Sequence, residues 1–165
     1  MGSVGSKAEI WRTDPGTLRD IVLDRTAVED RLQECPALER AWILSLHGRD
    51  QEAVAAGRRL LAKSPDRFRP LLVLAQADQR KYQWHQAAQL HEEALWLAQT
   101  RARESLVRHE IGRRFFDEAR YRDAAAEFQW ATHLYRTTGR KRLAGISREA
   151  MKRALELDKN RSTNL

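Results

Sequence analysis

Three features of the sequence predict an all-α fold. Apolar residues recur at three- and four-residue steps along most of the chain, no segment alternates polar and apolar residues between turn signals, and Pro or Gly separates the apolar stretches. The chain has 165 residues, of which 42% are hydrophobic, so it has the size and composition of one soluble globular domain. We therefore expect helices packed around a single core, and no sheet.

The beginning of the chain is predicted to contain one helix after a flexible terminus at residues 1–13. From Asp14 the apolar spacing becomes helical, and Asp14-Pro15 supplies a cap and a first-turn proline. Pro36 ends the pattern. We expect a first helix over about residues 15–34.

Three helical pairs and a final helix are predicted to follow. Gly48, Pro65 and Gly139 stop the apolar stretches, because Gly adopts the left-handed C-cap conformation and Pro cannot continue a helix. The polar tail at residues 158–165 is expected to be frayed. The predicted helices span residues 37–46, from Gly48 to 62, 68–80, 84–98, 102–118, 121–136 and 140–157.

The three helical pairs have similar amino-acid sequences that recur at a nearly constant period. Ala53 and Ala87 are 34 residues apart, and Ala124 follows after another 37. The third unit is the most regular and reads Ile111-Gly112-x-x-Phe115, then Tyr121-x-x-Ala124-x-x-x-Phe128-x-x-Ala131.

This pattern resembles the tetratricopeptide repeat over about residues 36–138, with units at about 36–66, 67–100 and 101–138. In the first two units Gly57 and His91 stand in place of the Phe, and Ala41 and Ala75 in place of the Gly. The resemblance implies antiparallel pairs stacked as a short right-handed superhelix. Helix 140–157 and helix 15–34 would then cap its two ends.

Small residues explain how the helices of the third pair can approach each other. We expect Gly112 and Ala124 at a tight crossing, with Phe115, Tyr121 and Phe128 around it. Trp84, Trp96 and Trp130 fall on second helices, where packing between helices is expected.

No motif for catalysis, metals or cofactors is found. His91-Glu92 and His109-Glu110 lack the second His of a zincin helix, and no phosphate loop, nucleophile elbow or dinucleotide fingerprint occurs. Cys35 is the single cysteine, which excludes an intramolecular disulfide. The start Met1-Gly2-Ser3-Val4-Gly5-Ser6 fits the N-myristoylation pattern but is also typical of flexible termini. We expect a protein that is not an enzyme and holds no metal or cofactor.

The net charge of +7 comes from the part of the chain after Asp66, since the residues before it are nearly balanced. Such a field attracts acidic proteins or nucleic acid. The arginine-rich composition suggests a GC-rich bacterium, and the lack of a signal peptide or of an apolar span suggests the cytoplasm. We expect a solvated basic surface made of Arg136, Arg140, Lys141, Arg142, Arg148, Lys152 and Arg153.

In the repeat family the first helices of successive pairs line a concave face, so the resemblance implies a binding surface there. Aromatic, aliphatic and cationic residues converge on it, which favours an acidic or amphipathic protein segment as partner. Two alternative interpretations remain open: Trp42 packs under helix 15–34 instead of lying in the groove, and the cations form an ordinary solvated surface. Nucleic-acid binding is the alternative function, and self-association is compatible with either. The predicted binding residues are Trp42, Arg69, Leu72, Gln76, Arg80, His109, Arg113 and Phe116.

Overall fold

The computed structural model describes residues 9–164. Within this range the fold is all-α, as predicted: eight helices make up 75% of the described residues, and one small antiparallel hairpin precedes them. The hairpin strands are β1 (Trp11–Thr13) and β2 (Asp20–Val22), with Arg12 opposite Ile21. The helices are α1 (Arg25–Gln33), α2 (Ala37–Leu46), α3 (Asp50–Lys63), α4 (Phe68–Arg80), α5 (Trp84–Leu97), α6 (Arg101–Asp117), α7 (Tyr121–Thr137) and α8 (Lys141–Thr163).

The hairpin takes the place of the first half of the helix predicted over residues 15–34. The Asp14 carboxylate accepts hydrogen bonds from the Thr17 backbone N–H at 3.1 Å and from the Thr17 hydroxyl at 2.8 Å. Asp14-Pro15-Gly16-Thr17 therefore forms a tight turn, because the Asp side chain binds its own backbone instead of capping a helix. The predictions of a helix from residue 15 and of no sheet were wrong here.

The first helix begins only at Arg25. Asp24 is its N-cap, and the Asp24 carboxylate accepts a hydrogen bond from the Ala27 N–H at 3.0 Å. The flexible terminus predicted for residues 1–13 is also wrong at its end, since β1 lies there. Residues 1–8, with the myristoylation pattern, lie outside the described residues.

The remaining helices pack in sequence, with α2 against α3, α4 against α5, α6 against α7 and α8 against α7. In addition α2 contacts α4, and α4 contacts α6, so the first helices of the three pairs are neighbours. Four of the turns between helices have the same backbone geometry. In each, one residue has a left-handed conformation, and the backbone N–H of the next residue donates to the carbonyl of the residue five positions before it, at 2.8–2.9 Å. The left-handed residues are Gly48, Tyr82, Ala119 and Gly139.

Equivalent positions in the three pairs are buried. Ala53, Ala87 and Ala124 are each the fourth residue of the second helix, and each is completely buried. The positions predicted to correspond to Gly112, namely Ala41 and Ala75, are also completely buried.

Gly112 lies at a tight contact between α6 and α7, as predicted. A Cβ atom at this position would be 2.7 Å from Cε1 of Phe128, whose side chain is completely buried. Ala124 belongs to the same core cluster as Phe128. The close approach of the two helices therefore depends on the missing side chain of Gly112.

The C-terminal tail is more ordered than predicted. Helix α8 continues to Thr163, and the Arg161 side chain donates to the Ala119 carbonyl at 2.9 Å. The prediction of a frayed segment from residue 158 was therefore wrong up to residue 163. No Pro or Gly interrupts this stretch, so nothing in it stops the helix.

One tryptophan on a second helix, Trp96, does not pack between helices, whereas Trp130 of α7 is partly covered by Arg108 of α6. Trp96 is 84% exposed, and Trp130 is 49% exposed with the Arg108 guanidinium 3.9 Å from its ring centroid. Among residues 9–164, no helix is both long and apolar enough to cross a membrane.

Candidate functional site

The first helices and α8 form one continuous surface, which we call the groove face. Residues 9–24, here called the N-terminal arm, lie across it. Trp11 packs edge-on against Trp42 of α2 with ring centroids 4.7 Å apart, and the Arg153 side chain of α8 donates to the Gly16 carbonyl at 3.1 Å. The groove face that the sequence predicted as a partner site is thus partly covered by the chain itself.

Arg113 of α6 is the centre of the contact with the arm. Its Nε donates to the Leu18 carbonyl at 3.0 Å, and its Nη2 is 3.3 Å from the Asp20 carboxylate. Gln76 of α4 also donates to Asp20, at 3.3 Å. Asp20 is only 4% exposed, and its carboxylate also accepts from the Thr13 hydroxyl of β1 at 2.6 Å. It is therefore held by two helices of the groove face and by the arm itself.

The charges around Arg113 reinforce one another. Burial works against the Arg113 charge, but the neighbouring Glu110 and Asp20 carboxylates raise its pKa overall. Burial raises the pKa of Glu110, although Arg113 partly offsets this effect. The two carboxylates therefore stabilise the cationic form of Arg113, which can bind a carboxylate.

His109 is adjacent to this centre and lines the larger cavity, but one of its ring nitrogens is already engaged within the protein. Its Nδ1 is 2.8 Å from the Ser147 hydroxyl of α8. Burial, together with the Arg113 charge, lowers the pKa of His109 to about 3, so the ring is neutral at physiological pH. Its role in this structure is to join α6 to α8.

Two residues predicted to line an accessible site are instead in the core. Leu72 is 8% exposed and packs with Phe68, Leu71 and Val107, while Phe116 is 7% exposed in the cluster that contains Leu18. The prediction that they are spared from the core was therefore wrong. The arm provides the physical reason for Phe116, because the Leu18 side chain covers the cluster that Phe116 belongs to.

The groove face has two cavities. One, of about 280 Å³, lies between α2, α4 and α6, and its lining includes Trp42, Arg69, Leu72, Gln76 and Leu106 together with the carboxylates of Glu39 and Glu110. The other, of about 1200 Å³, lies between the arm, α6 and α8. Its wall combines apolar groups with charges of both signs, cations being the more numerous. It includes Leu18, Leu143, Ile146, Arg113, Arg142, Lys152, Glu149 and Glu156.

Two further predicted cations lie on α4, each with no carboxylate within 4.0 Å among residues 9–164. Arg69 is exposed, and Arg80 is half-buried. Burial lowers the pKa of Arg80, partly offset by Asp50. A partly buried cation without a close counter-ion is a group that an acidic ligand would stabilise.

The sequence reasoning missed the arm residues Leu18 and Asp20, and also Asp117. The Asp117 carboxylate accepts from Arg19 of the arm at 3.1 Å and from Gln79 at 2.6 Å. A Pro-Gly dipeptide at Pro15-Gly16 was the available signal for a turn in the arm. No pattern could indicate that Asp20 meets Arg113, which is far away in the sequence.

The predicted basic surface divides into two parts. Arg148 and Lys152 lie near Glu149, and Arg153 lies near Glu156. The part around the α7–α8 junction is exposed and has no carboxylate within 4.0 Å in the described range. It consists of Arg136, Arg140, Lys141 and Arg142.

Within residues 9–164, no group of three or more His, Cys, Asp or Glu side chains is placed to hold a metal ion. Cys35 is half-buried and unpaired in the same range. No protein-family model, curated protein or solved structure matches the chain.

Proposed function

We propose that the chain is a non-catalytic, tetratricopeptide-like helical scaffold that binds an acidic or amphipathic protein segment on its groove face. One observation carries the proposal: Arg113 and Gln76 hold the Asp20 carboxylate, and Arg113 also binds the Leu18 carbonyl. The groove face is therefore chemically suited to an extended segment that presents a carboxylate.

The free cations support the same ligand class. Arg69 and Arg80 extend the positive character of Arg113 along the groove face, and neither has a close carboxylate among the described residues. The cavity beside Trp42 offers apolar contact next to Arg69, and Glu39 and Glu110 also line it. A segment with both acidic and apolar side chains would use both features.

The proposal includes a cytoplasmic role in a bacterium and requires no cofactor. Self-association is compatible with it, because an uncovered end of stacked helical pairs can pack against a second copy.

A displayed library of short random peptides, selected on the immobilised chain, tests the proposal. Selected peptides should combine carboxylates with leucine or aromatic residues. Their affinity, measured by fluorescence anisotropy, should fall about tenfold or more for the Arg69→Glu/Arg80→Glu variant.

The matched control is Arg59→Glu/Arg101→Glu, which makes the same change in net charge at two exposed positions on α3 and α6. This control should bind the peptides nearly as well as the wild type does. An equal loss in both variants would mean that net charge, and not the groove face, determines binding.

Nucleic-acid binding is the second candidate, favoured by the four unpaired cations at the α7–α8 junction. It predicts binding to unrelated sequences with a steep dependence on salt. Measuring the affinity for a mixed-sequence oligonucleotide at several salt concentrations distinguishes it from peptide binding, which should depend less on salt.

A further inference from the structure

We infer that the N-terminal arm is an intramolecular ligand of the groove face, and that the partner segment displaces it by presenting the same two groups, an apolar side chain and a carboxylate two residues later. This inference rests on the proposed function and specifies both the partner and its regulation. Leu18 and Asp20 are the two groups in the arm.

The arm binds in the manner of a bound peptide. Two of its contacts use main-chain carbonyls: Arg113 binds that of Leu18 at 3.0 Å, and Arg153 binds that of Gly16 at 3.1 Å. Main-chain contacts of this kind accept almost any sequence. They provide affinity for an extended segment without defining which one.

Specificity comes from two buried side chains. Leu18 is 7% exposed and packs with Phe116, Phe128, Ala150 and Ala154 of the core. The Asp20 carboxylate is equally enclosed and is held by Arg113 and Gln76. A replacement for the arm must supply an equivalent of both, because otherwise an apolar pocket is emptied and a buried cation loses a partner.

The rest of the arm is held by more exposed contacts, such as Trp11 on Trp42 and Arg19 with Asp117. All three residues of β1 are exposed, and β1 pairs only with β2 in a two-stranded hairpin, which is marginal on its own. Leu18 has a φ of 57°, a left-handed conformation that residues with a Cβ atom rarely adopt. Leu18 and Asp20 are therefore the buried anchors of the arm, and Leu18 is held in an unfavourable conformation.

A partner can make more contacts than the arm does. The cavity of about 1200 Å³ borders the arm, which forms part of its wall, and the cavity of about 280 Å³ lies between α2, α4 and α6. A longer segment with the same two groups could extend into one of them. Cations outnumber carboxylates in the wall of the larger cavity, which favours further acidic residues of the partner there. In the smaller cavity Glu39 and Glu110 offset the charge of Arg69, so that cavity favours apolar contact.

A synthetic peptide of residues 9–24 with a fluorescent label is the probe. It should bind the wild-type chain weakly, because the tethered arm competes at a high effective concentration. It should bind the Leu18→Ala/Asp20→Asn variant about tenfold more tightly or better, since the weakened arm leaves the groove face free more often. The peptide that carries the same two substitutions should bind neither chain.

The matched control is Leu23→Ala/Asp30→Asn, which alters an exposed leucine and an exposed aspartate outside the contact. It should bind the probe as the wild type does. Because Leu18 is part of the core, Asp20→Asn alone serves as a second variant that keeps the side-chain size. It should improve probe binding by about threefold or more, with an unchanged helical circular dichroism spectrum.

The outcomes separate the two proposals. Equal binding of the probe to the wild type, the variants and the control would overturn the arm as competitor, as would no binding to any chain. Arms exchanged between two copies, seen as a dimer that disappears in the variants, would also overturn it. The proposed function fails separately, if peptides selected from the library are insensitive to Arg69→Glu/Arg80→Glu.

Discussion

Replacing Gly112 by Ala tests how closely α6 approaches α7. The new Cβ would be 2.7 Å from Cε1 and 2.8 Å from Cδ1 of Phe128, well below the carbon–carbon optimum of about 3.5 to 4.0 Å. The Phe128 ring cannot easily move away, because it is completely buried and lies against the His109 ring with centroids 5.2 Å apart. Overpacking of this kind costs about 1 to 3 kcal/mol, and the rigid surroundings place this site in the upper part of that range.

A gain in helix propensity partly offsets the cost. Ala is favoured over Gly inside a helix by about 0.5 to 1 kcal/mol. The net loss of unfolding free energy for Gly112→Ala should therefore be about 1 to 2 kcal/mol.

Gly145 in α8 is the matched control, since a Cβ there would have no neighbour within 4 Å. Gly145→Ala should raise the unfolding free energy by about 0.5 to 1 kcal/mol. Urea denaturation followed by circular dichroism measures both variants under the same conditions. A Gly112→Ala variant as stable as Gly145→Ala would refute the tight crossing.

Three further predictions concern a turn, a buried histidine and the basic surface. Ala119 has a φ of 59°, so Ala119→Gly should stabilise the fold by about 0.5 to 1 kcal/mol in urea denaturation, and a loss of stability would contradict this turn geometry. Burial, followed by the Arg114 charge, lowers the pKa of His91 to about 3, so the unfolded chain takes up a proton below pH ~6.5 that the folded chain excludes. The free energy of unfolding should consequently fall as the pH decreases from ~6.5 towards ~3. The His91→Gln variant should show a smaller change of this free energy with pH, by up to about 1.4 kcal/mol per pH unit. The same pH dependence in the variant and the wild type would count against a neutral buried ring. Charge reversal at Arg140, Lys141 and Arg142 should leave the circular dichroism spectrum unchanged and the stability equal or slightly higher, because acidic residues suit a helix N-terminus; unfolding of the variant would show that these cations are structural.

The helices could be predicted from the sequence where strong local signals delimit them. The bounds of α2 and α4 agree with the prediction at both ends, because Pro36, Gly48 and Pro65 mark the breaks. The small buried residues at the helix crossings could also be predicted, since only a Gly or an Ala leaves room for two close helices.

The N-terminal arm could not be predicted by the same reasoning. The apolar residues of this segment have helical spacing without forming a helix: Leu18, Ile21 and Val22. Leu18 is apolar because it inserts into the core, and the other two belong to β2, which covers the groove face. The local structure is instead a turn at Asp14-Pro15, which the hydrogen bonds of the Asp14 side chain stabilise. Apolar periodicity alone does not reveal such hydrogen bonds.

The site was predictable in its helical part only. Arg113 was identified from its register beside Gly112, and the structure places it at the centre of the groove face. Its partner Asp20 and the covering of Phe116 by Leu18 are tertiary contacts, which no local pattern encodes. A prediction of which face a residue occupies therefore differs from a prediction of whether that face is open.

The central claim is that an acidic, apolar segment binds the groove face, and NMR mapping tests it most directly. A peptide selected from the library would be titrated into the ¹⁵N-labelled chain while backbone amide shifts are recorded. The account predicts the largest changes at Arg69, Gln76 and Arg113, together with residues of the arm as it is released. Changes confined to the α7–α8 junction around Arg140 and Arg142, with the arm unaffected, would contradict it.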